Sequence, residues 1–180
     1  VSVQKLMVDK EEMSTRLRAI IDNSPIGIWF TGMDGRFHFV NRTFSDLVGV
    51  DEKEFINTPV SQLAKLLGNE TAKSCLDSNK AALTQETPFV SYETIPRLDE
   101  KPYILEITKV KMKNAQGELI GLIGISKDIT NTRQQEDDLK LAEMVYTNSS
   151  EAMMVTNIRN EIIATNPALS EITGYSKNEL

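Results

Sequence analysis

The feature that most constrains this chain is an internal repeat. The stretch from Asn23 to Gly49 recurs without a gap from Asn148 to Gly174, at a constant offset of 125 residues. Identical pairs at that offset are Asn23 and Asn148, Ser24 and Ser149, Thr31 and Thr156, Asn41 and Asn166, Ser45 and Ser170, and Gly49 and Gly174. Asparagine and glycine mark helix starts and ends, so chance rarely repeats them in register. The chain therefore contains two copies of one local structure.

The first copy is typical of two strands followed by a short helix. Residues 26–30 are apolar, Asp34 and Gly35 are turn residues, and residues 36–40 alternate as a strand with one buried face does. Asn41 is placed to cap a helix over residues 42–48, which Gly49 can end because glycine tolerates positive φ. The pattern predicts a β-hairpin that leads directly into a capped helix.

The residues after this helix predict a longer helix and three more strands. Apolar positions spaced three to four residues apart predict a helix up to about residue 85. Strands are predicted at residues 89–95, 103–112 and 119–127, with a hairpin turn at 114–117. Because consecutive strands with short connections form an antiparallel meander, the predicted fold class is α+β.

A helix is also predicted before each copy. In residues 1–22, Leu6, Met13 and Ile20 recur every seven residues, with Leu17 on the same side. Such a narrow apolar stripe fits either a helix packed on its own domain or a coiled-coil seam in a homodimer, and both interpretations stay open. A charged helix is predicted from residue 131 to about residue 146.

Composition excludes several classes of protein. With a net charge of −6 and a pI near 4.9, the chain lacks the basic footprint of a nucleic-acid-binding protein. One cysteine allows no intramolecular disulfide, which favours the cytoplasm. The first ten residues do not have the pattern of a signal peptide, and the apolar run from Leu119 to Ile125 is too short to cross a bilayer.

Several short motifs, in this order, resemble the PAS sensory domain. They are Asp34-Gly35-Arg36, Phe39-Val40-Asn41, Leu47-Val48-Gly49, the segment from Gly117 to Gly121, and Asp128-Ile129-Thr130, followed in the second copy by the segments from Thr165 to Ala168 and from Ile172 to Ser176. The resemblance covers residues 23–130 as a complete domain and residues 148–180 as the opening part of another. It implies a five-stranded antiparallel sheet in the order 2-1-5-4-3, with helices on one face and a small pocket between them.

The resemblance also predicts how the chain is divided. We expect an N-terminal amphipathic helix at residues 1–22, a complete PAS domain at 23–130, a linker helix at 131–147 and a truncated second PAS domain at 148–180. The last segment is too short to bury a core of its own. We therefore expect that the sequence is cut from a longer protein, which we favour, or that this segment docks elsewhere, such as on a partner chain. Tandem PAS domains in bacteria commonly precede an output domain, and the second copy most resembles those before cyclic-di-GMP synthases or hydrolases (GGDEF/EAL domains).

No residues of the sequence form a catalytic or metal-binding pattern. One histidine and one cysteine cannot make a zinc site. Because the sequence has no catalytic pattern either, we expect the fragment not to be an enzyme. Haem-binding relatives usually carry their axial histidine on the helix before strand three, where this chain has none. Flavin photosensors carry a reactive cysteine in an Asn-Cys-Arg-Phe segment, which is also absent. The resemblance therefore disfavours haem and covalent flavin, and leaves a small organic ligand or none.

Family geometry and strand alternation predict which residues would line the pocket. The candidates are Trp29, Phe37, Phe39, Cys75, Leu105, Ile107 and Ser126. The junction Asp128-Ile129-Thr130 is the expected relay from the last strand to the outgoing helix. Two functions follow from the resemblance: a sensory input module that acts through its flanking helices, or a ligand-free dimerisation and protein-interaction module of a histidine kinase or chemoreceptor.

Overall fold

The computed structural model describes residues 3–95, 102–176 and 179. It divides the chain into two compact units, Val1–Thr130 and Asn131–Leu180. The first unit contains, in chain order, α1 (Val3–Asp22), β1 (Gly27–Gly32), β2 (Phe37–Val40), α2 (Arg42–Val48), α3 (Glu52–Phe55), a 3₁₀ turn (Val60–Gln62), α4 (Ala64–Leu67), α5 (Asn69–Thr84), β3 (Phe89–Ile95), β4 (Tyr103–Lys113) and β5 (Leu119–Asp128).

The five strands of the first unit form one antiparallel sheet in the order β2-β1-β5-β4-β3. This order confirms the α+β fold class and the strand arrangement predicted above. The chain reaches β5 through a meander from β3, so β5 lies in the centre beside β1. Helix α5 packs across β3 and β4, and a core therefore forms between one face of the sheet and the helices.

Aromatic side chains from β1, β2 and the short helices fill one part of this core. The rings of Trp29 and Phe44 lie 4.6 Å apart, and Phe55 lies 5.4 Å from both Phe37 and Phe44. All four side chains are buried. Burial of each contributes about 1.5–3 kcal/mol, which makes this cluster a main source of stability for the first unit.

A β-bulge interrupts the regular alternation of β2. Thr31 pairs with Phe37, whereas the preceding residue, Phe30, pairs with Phe39, so one residue of β2 is left over. Phe37 consequently faces the core, while Phe39 shares a face with Phe30. The Arg18 guanidinium of α1 lies 4.8 Å from the centre of the Phe39 ring. The predicted inward orientation of Phe39 is therefore wrong, because it assumed uninterrupted alternation.

The second unit repeats the opening of the first. It contains α6 (Thr130–Asn148), which begins at the last residue of the first unit, then β6 (Met154–Thr156), β7 (Ile162–Thr165) and α7 (Pro167–Thr173). Strands β6 and β7 form a hairpin whose register shift lies at residues 155 and 156, at the repeat offset from the shift in β1. Gly49 and Gly174 both end their helices with positive φ, at 70° and 77°.

No helix within the described ranges is long and apolar enough to cross a membrane.

Candidate functional site

A small cavity lies between the sheet and the helices of the first unit. Its volume is about 30 Å³. The lining consists of Trp29, Phe37, Phe44, Leu63, Leu67, Thr71, Cys75, Glu93, Ile95, Leu105, Ile107 and Lys109. A water molecule needs about 10–15 Å³ measured in this way, and a cavity that binds benzene measures about 150 Å³. In this conformation the cavity has room for one or two waters and is too small for haem or flavin.

Five of the seven pocket residues predicted from the sequence line this cavity: Trp29, Phe37, Cys75, Leu105 and Ile107. Phe39 and Ser126 do not. Phe39 is turned away by the bulge in β2. Ser126 is buried, but its hydroxyl lies beneath Gly27, where a Cβ would come within 2.3 Å of its Oγ. Ser126 thus fills the space between β5 and β1 and does not reach the cavity.

A buried lysine lies at one end of the cavity. Lys109 on β4 is only 2% exposed. Its Nζ donates to Asn79 Oδ1 at 2.6 Å, to Ser78 Oγ at 2.7 Å and to Cys75 O at 3.1 Å. These three acceptors, all on α5, use the three hydrogens of the ammonium group and offset the cost of its burial. Lys109 therefore joins the sheet to α5.

Sequence reasoning missed Lys109 although the signal for it is simple. Leu105 and Ile107 were predicted to face inward, and the next residue on that face of the strand is Lys109. The apolar alternation ends at Ile107, so the pattern does not predict that the polar side chain of Lys109 also faces inward. Three polar partners spaced along α5 make the inward position possible, and their approach to β4 depends on the tertiary fold.

Two further ionisable groups line the cavity. Glu93 on β3 is half-buried and accepts a hydrogen bond from Ser74 Oγ at 3.1 Å. Burial raises the pKa of Glu93, while the charge of Lys109 opposes this rise. Burial likewise raises the pKa of the Cys75 thiol, against the effect of Lys109, whose Nζ lies 3.6 Å from Cys75 Sγ. Cys75 is therefore a poor nucleophile, since the thiolate is the reactive form.

The predicted relay residues connect β4 to the start of α6. Thr130 Oγ1 accepts a hydrogen bond from Ile104 N at 2.9 Å, and Ile129 N donates to Ile104 O at 2.9 Å. Asp128 Oδ1 accepts from Thr130 N at 2.9 Å and from Thr130 Oγ1 at 2.6 Å. The adjacent residue, Leu105, lines the cavity and pairs with Asp128. Leu105 in the cavity wall and Thr130, the first residue of α6, thus belong to one hydrogen-bonded segment of the first unit.

Asn41 connects four segments of the first unit, and its side chain is fully buried. Its Oδ1 accepts from Phe44 N at 3.0 Å, which caps α2, and from Ile28 N of β1 at 2.8 Å. Its Nδ2 donates to Ile21 O near the end of α1 and to Ile26 O, both at 2.9 Å. The capping role was predicted from the sequence. The contact with α1 was not, although it fixes the end of that helix to the sheet.

Asn166 makes the same four contacts in the second unit. Its Nδ2 donates to Tyr146 O of α6 at 3.1 Å and to Glu151 O at 2.8 Å. Its Oδ1 accepts from Met153 N at 2.8 Å and from Leu169 N at 3.1 Å. Each partner lies at the repeat offset from its counterpart around Asn41. The repeat therefore preserves a complete hydrogen-bond arrangement between a leading helix and the hairpin that follows it.

The predicted dimer residues of α1 are all exposed. Leu6, Met13, Leu17 and Ile20 are between 51% and 68% exposed, and no residue of α1 is buried. Their assignment to a coiled-coil seam stays a prediction. His38, the one histidine, is exposed and has its Nε2 2.9 Å from Asp34 Oδ2. Over the described residues, no group of three or more His, Cys, Asp or Glu side chains is placed to hold a metal ion.

The chain is similar in sequence to a curated protein and in structure to several solved domains. The Escherichia coli (strain K12) aerobic respiration control sensor protein ArcB is 25% identical over 132 residues, which is 73% of this chain and 17% of that protein. This chain therefore spans about a sixth of the length of its curated relative. The PAS domain of Bordetella pertussis BvgS superimposes with a TM-score of 0.54 at 20% identity, covering 77% of this chain and 98% of that one.

A PAS domain of an HTR-like protein from Haloarcula marismortui superimposes similarly, with a TM-score of 0.52 at 24% identity, over 70% of this chain and 99% of that one. At such identities these structures support the fold alone. A family model described as the PAS fold matches residues 21–134, and a second, described as a PAS domain, matches residues 141–180. Together the two models account for most of the chain, which therefore belongs to the PAS family of signal-sensing domains.

Proposed function

We propose that this chain is an input module of a multidomain signalling protein, in which a small ligand in the cavity of residues 23–130 alters the helices that flank this domain. The supporting observation is the hydrogen-bonded connection between β4 and the start of α6. Leu105 lines the cavity, and its neighbour Ile104 bonds both Ile129 and Thr130. A shift of β4 on ligand binding would change the bonds that hold the first turn of α6.

Helix α6 is also held at its other end. Tyr146 O, in its last turn, accepts a hydrogen bond from Asn166 of the second unit. One helix thus serves as the outgoing element of the first PAS domain and as the incoming element of the second. This double role supports a relay that runs from the first cavity through α6 into the second domain, with switching by movement of a packed helix.

We further propose a cytoplasmic homodimer in which the stripe of Leu6, Met13, Leu17 and Ile20 forms the seam. All four side chains are exposed, so a second copy of α1 could cover them. The expected change on replacing Met13 and Ile20 by Asp is a shift from dimer to monomer in light-scattering measurements. A chain that is monomeric before the substitutions contradicts the seam.

The relay can be tested by hydrogen exchange at the first turn of α6. Ile107→Ala enlarges the cavity without touching the junction, and we expect faster exchange at residues 130–134. Thr130→Val removes the hydroxyl bonds with Asp128 and Ile104. When Thr130→Val is already present, adding Ile107→Ala should change the exchange at residues 130–134 very little. Thr108→Ala, at the next position on β4 and on the opposite face, is the matched control. Unchanged exchange in Ile107→Ala refutes the relay.

The alternative is a ligand-free dimerisation or interaction module of a histidine kinase or chemoreceptor. The small size of the cavity favours this alternative, since about 30 Å³ leaves little space for a ligand. Native mass spectrometry of the chain purified from bacteria distinguishes the two, because a copurified small molecule supports the sensor. For the output domain we keep the cyclic-di-GMP enzyme as a hypothesis. The relative named above is a sensor protein and lends that output no support.

A further inference from the structure

The inner cavity meets an open groove at the edge of the sheet. This groove has a volume of about 440 Å³ and lies between the start of α5 and the edge strand β3. Leu67, Thr71 and Glu93 line both the groove and the inner cavity. A small molecule from solvent would therefore enter past these three residues, with Glu93 as the ionisable group at the entrance.

The charged side chains that line this entrance, among the described residues, are both carboxylates. Glu70 and Glu93 line the groove, and among the described residues no Lys or Arg does. Glu93 is half-buried, and the one hydrogen bond that it accepts within the described residues comes from Ser74. A carboxylate offers about four lone-pair positions, so Glu93 can accept further N–H donors beside Ser74. The ring of Tyr92 lines the same groove and presents an aromatic surface, which also attracts cations.

The positive charge inside the cavity does not reverse this preference. Lys109 Nζ already donates its three hydrogens to oxygen atoms of α5. Within the described part of the chain, no ion pair joins Lys109 to Glu93. An anionic ligand would thus pass two carboxylates and find no free donor on the lysine. A cation would meet its acceptors at the entrance, before it reached Lys109.

We propose that this entrance selects small organic amines, whose protonated nitrogen donates to Glu93 while the alkyl part lies against Leu67 in the groove, next to the cavity that Trp29 lines. An alkylammonium ion combines three N–H donors with an apolar stem, and the groove combines carboxylates with an apolar wall. The inference rests on the sensory function proposed above and adds the chemical class of the ligand.

The test compares three probes of similar shape and different charge: n-butylamine, 1-butanol and butyrate. Trp29 is the one tryptophan of the chain and lines the cavity, so its indole N–H gives a single reporter signal in a nitrogen–proton correlation spectrum. We expect the amine to bind at least about tenfold more tightly than butyrate. Glu93→Gln should weaken amine binding by about tenfold, the loss expected for one charge-assisted hydrogen bond.

Two controls make the test specific. Glu93→Gln should change the affinity for 1-butanol by less than about twofold relative to the unmodified chain, because the alcohol carries no charge. Glu86→Gln, the same change at an exposed site outside the groove, should leave amine binding unchanged. The proposal is overturned if the amine does not bind, if butyrate binds as tightly, or if Glu93→Gln has no effect on the amine. None of these outcomes alters the exchange test of the relay, which stands or fails separately.

Discussion

Replacing Asn41 should destabilise the first unit more than its small side chain suggests. Asn41→Ala removes four hydrogen bonds and leaves two N–H groups and two carbonyls without their partner. Each lost bond costs about 0.5–1.5 kcal/mol, and more where the partner stays buried and unsatisfied. We therefore expect a loss of about 3–5 kcal/mol, a large fraction of the roughly 5–15 kcal/mol by which a domain is stable.

Asn41→Asp separates the two roles of this side chain. A carboxylate still accepts from Ile28 N and Phe44 N, so the cap of α2 is retained. It cannot donate to Ile21 O and Ile26 O, so the contact with α1 is lost. The second carboxylate oxygen, buried against these two carbonyls, repels them or must take up a proton. We therefore expect a loss of stability at least as large as in Asn41→Ala, together with faster hydrogen exchange at the end of α1.

Urea unfolding followed by Trp29 fluorescence measures both variants. A loss of 4 kcal/mol moves the midpoint by roughly 2 M when the slope is about 2 kcal/mol per M. Asn166→Ala is the matched control, because it breaks the same four bonds in the other unit, which has no tryptophan. A midpoint shift below about 0.5 M for Asn41→Ala, or an equal shift for Asn166→Ala, would refute the reasoning.

Three further substitutions test the cavity and its wall. Ile107→Asp places a charge in the apolar core and should cost at least about 3 kcal/mol in urea unfolding; near-normal stability would show that Ile107 does not face inward. Because the pKa of Glu93 is raised by folding, its contribution to stability is present below about pH 4.5 and is lost as pH rises through the folded-state pKa. In Glu93→Gln, this fall of the urea midpoint with rising pH should be absent. A midpoint that falls as it does in the unmodified chain contradicts the prediction. Gly124→Ala puts a Cβ about 2.0 Å from the Trp29 ring, so we expect a shifted Trp29 emission and a cost of about 1–3 kcal/mol; an unshifted spectrum argues against this contact.

Most of the fold could be predicted because its signals are local. The cap at Asn41, the glycine after α2 and the alternation in β4 each depend on a few neighbouring residues. The bulge in β2 could not be predicted, because nothing in residues 37–40 marks the extra residue. Its effect on Phe39 shows why one irregularity in a strand changes which side chains reach a site.

The features of the site that were missed depend on distant partners. Lys109 is buried because α5 brings three oxygen atoms to it, about thirty residues earlier in the chain. The donor bonds of Asn41 require the positions of Ile21 and Ile26, which only the folded helix end provides. Alternation predicts on which face of the sheet a side chain lies. The partners that stabilise a polar side chain on the buried face are brought to it only by the tertiary structure.

The two units share the asparagine but differ in what else holds the leading helix. In the first unit, Arg18 of α1 bonds Asp22 at 2.8 Å and Glu52 at 2.5 Å. At the repeat offset, positions 143 and 147 hold Glu and Thr, which cannot form the first of these pairs. Such partly exposed ion pairs contribute only about 0.2–1 kcal/mol each. The asparagine, with four hydrogen bonds in each unit, is thus the larger attachment that the two leading helices share.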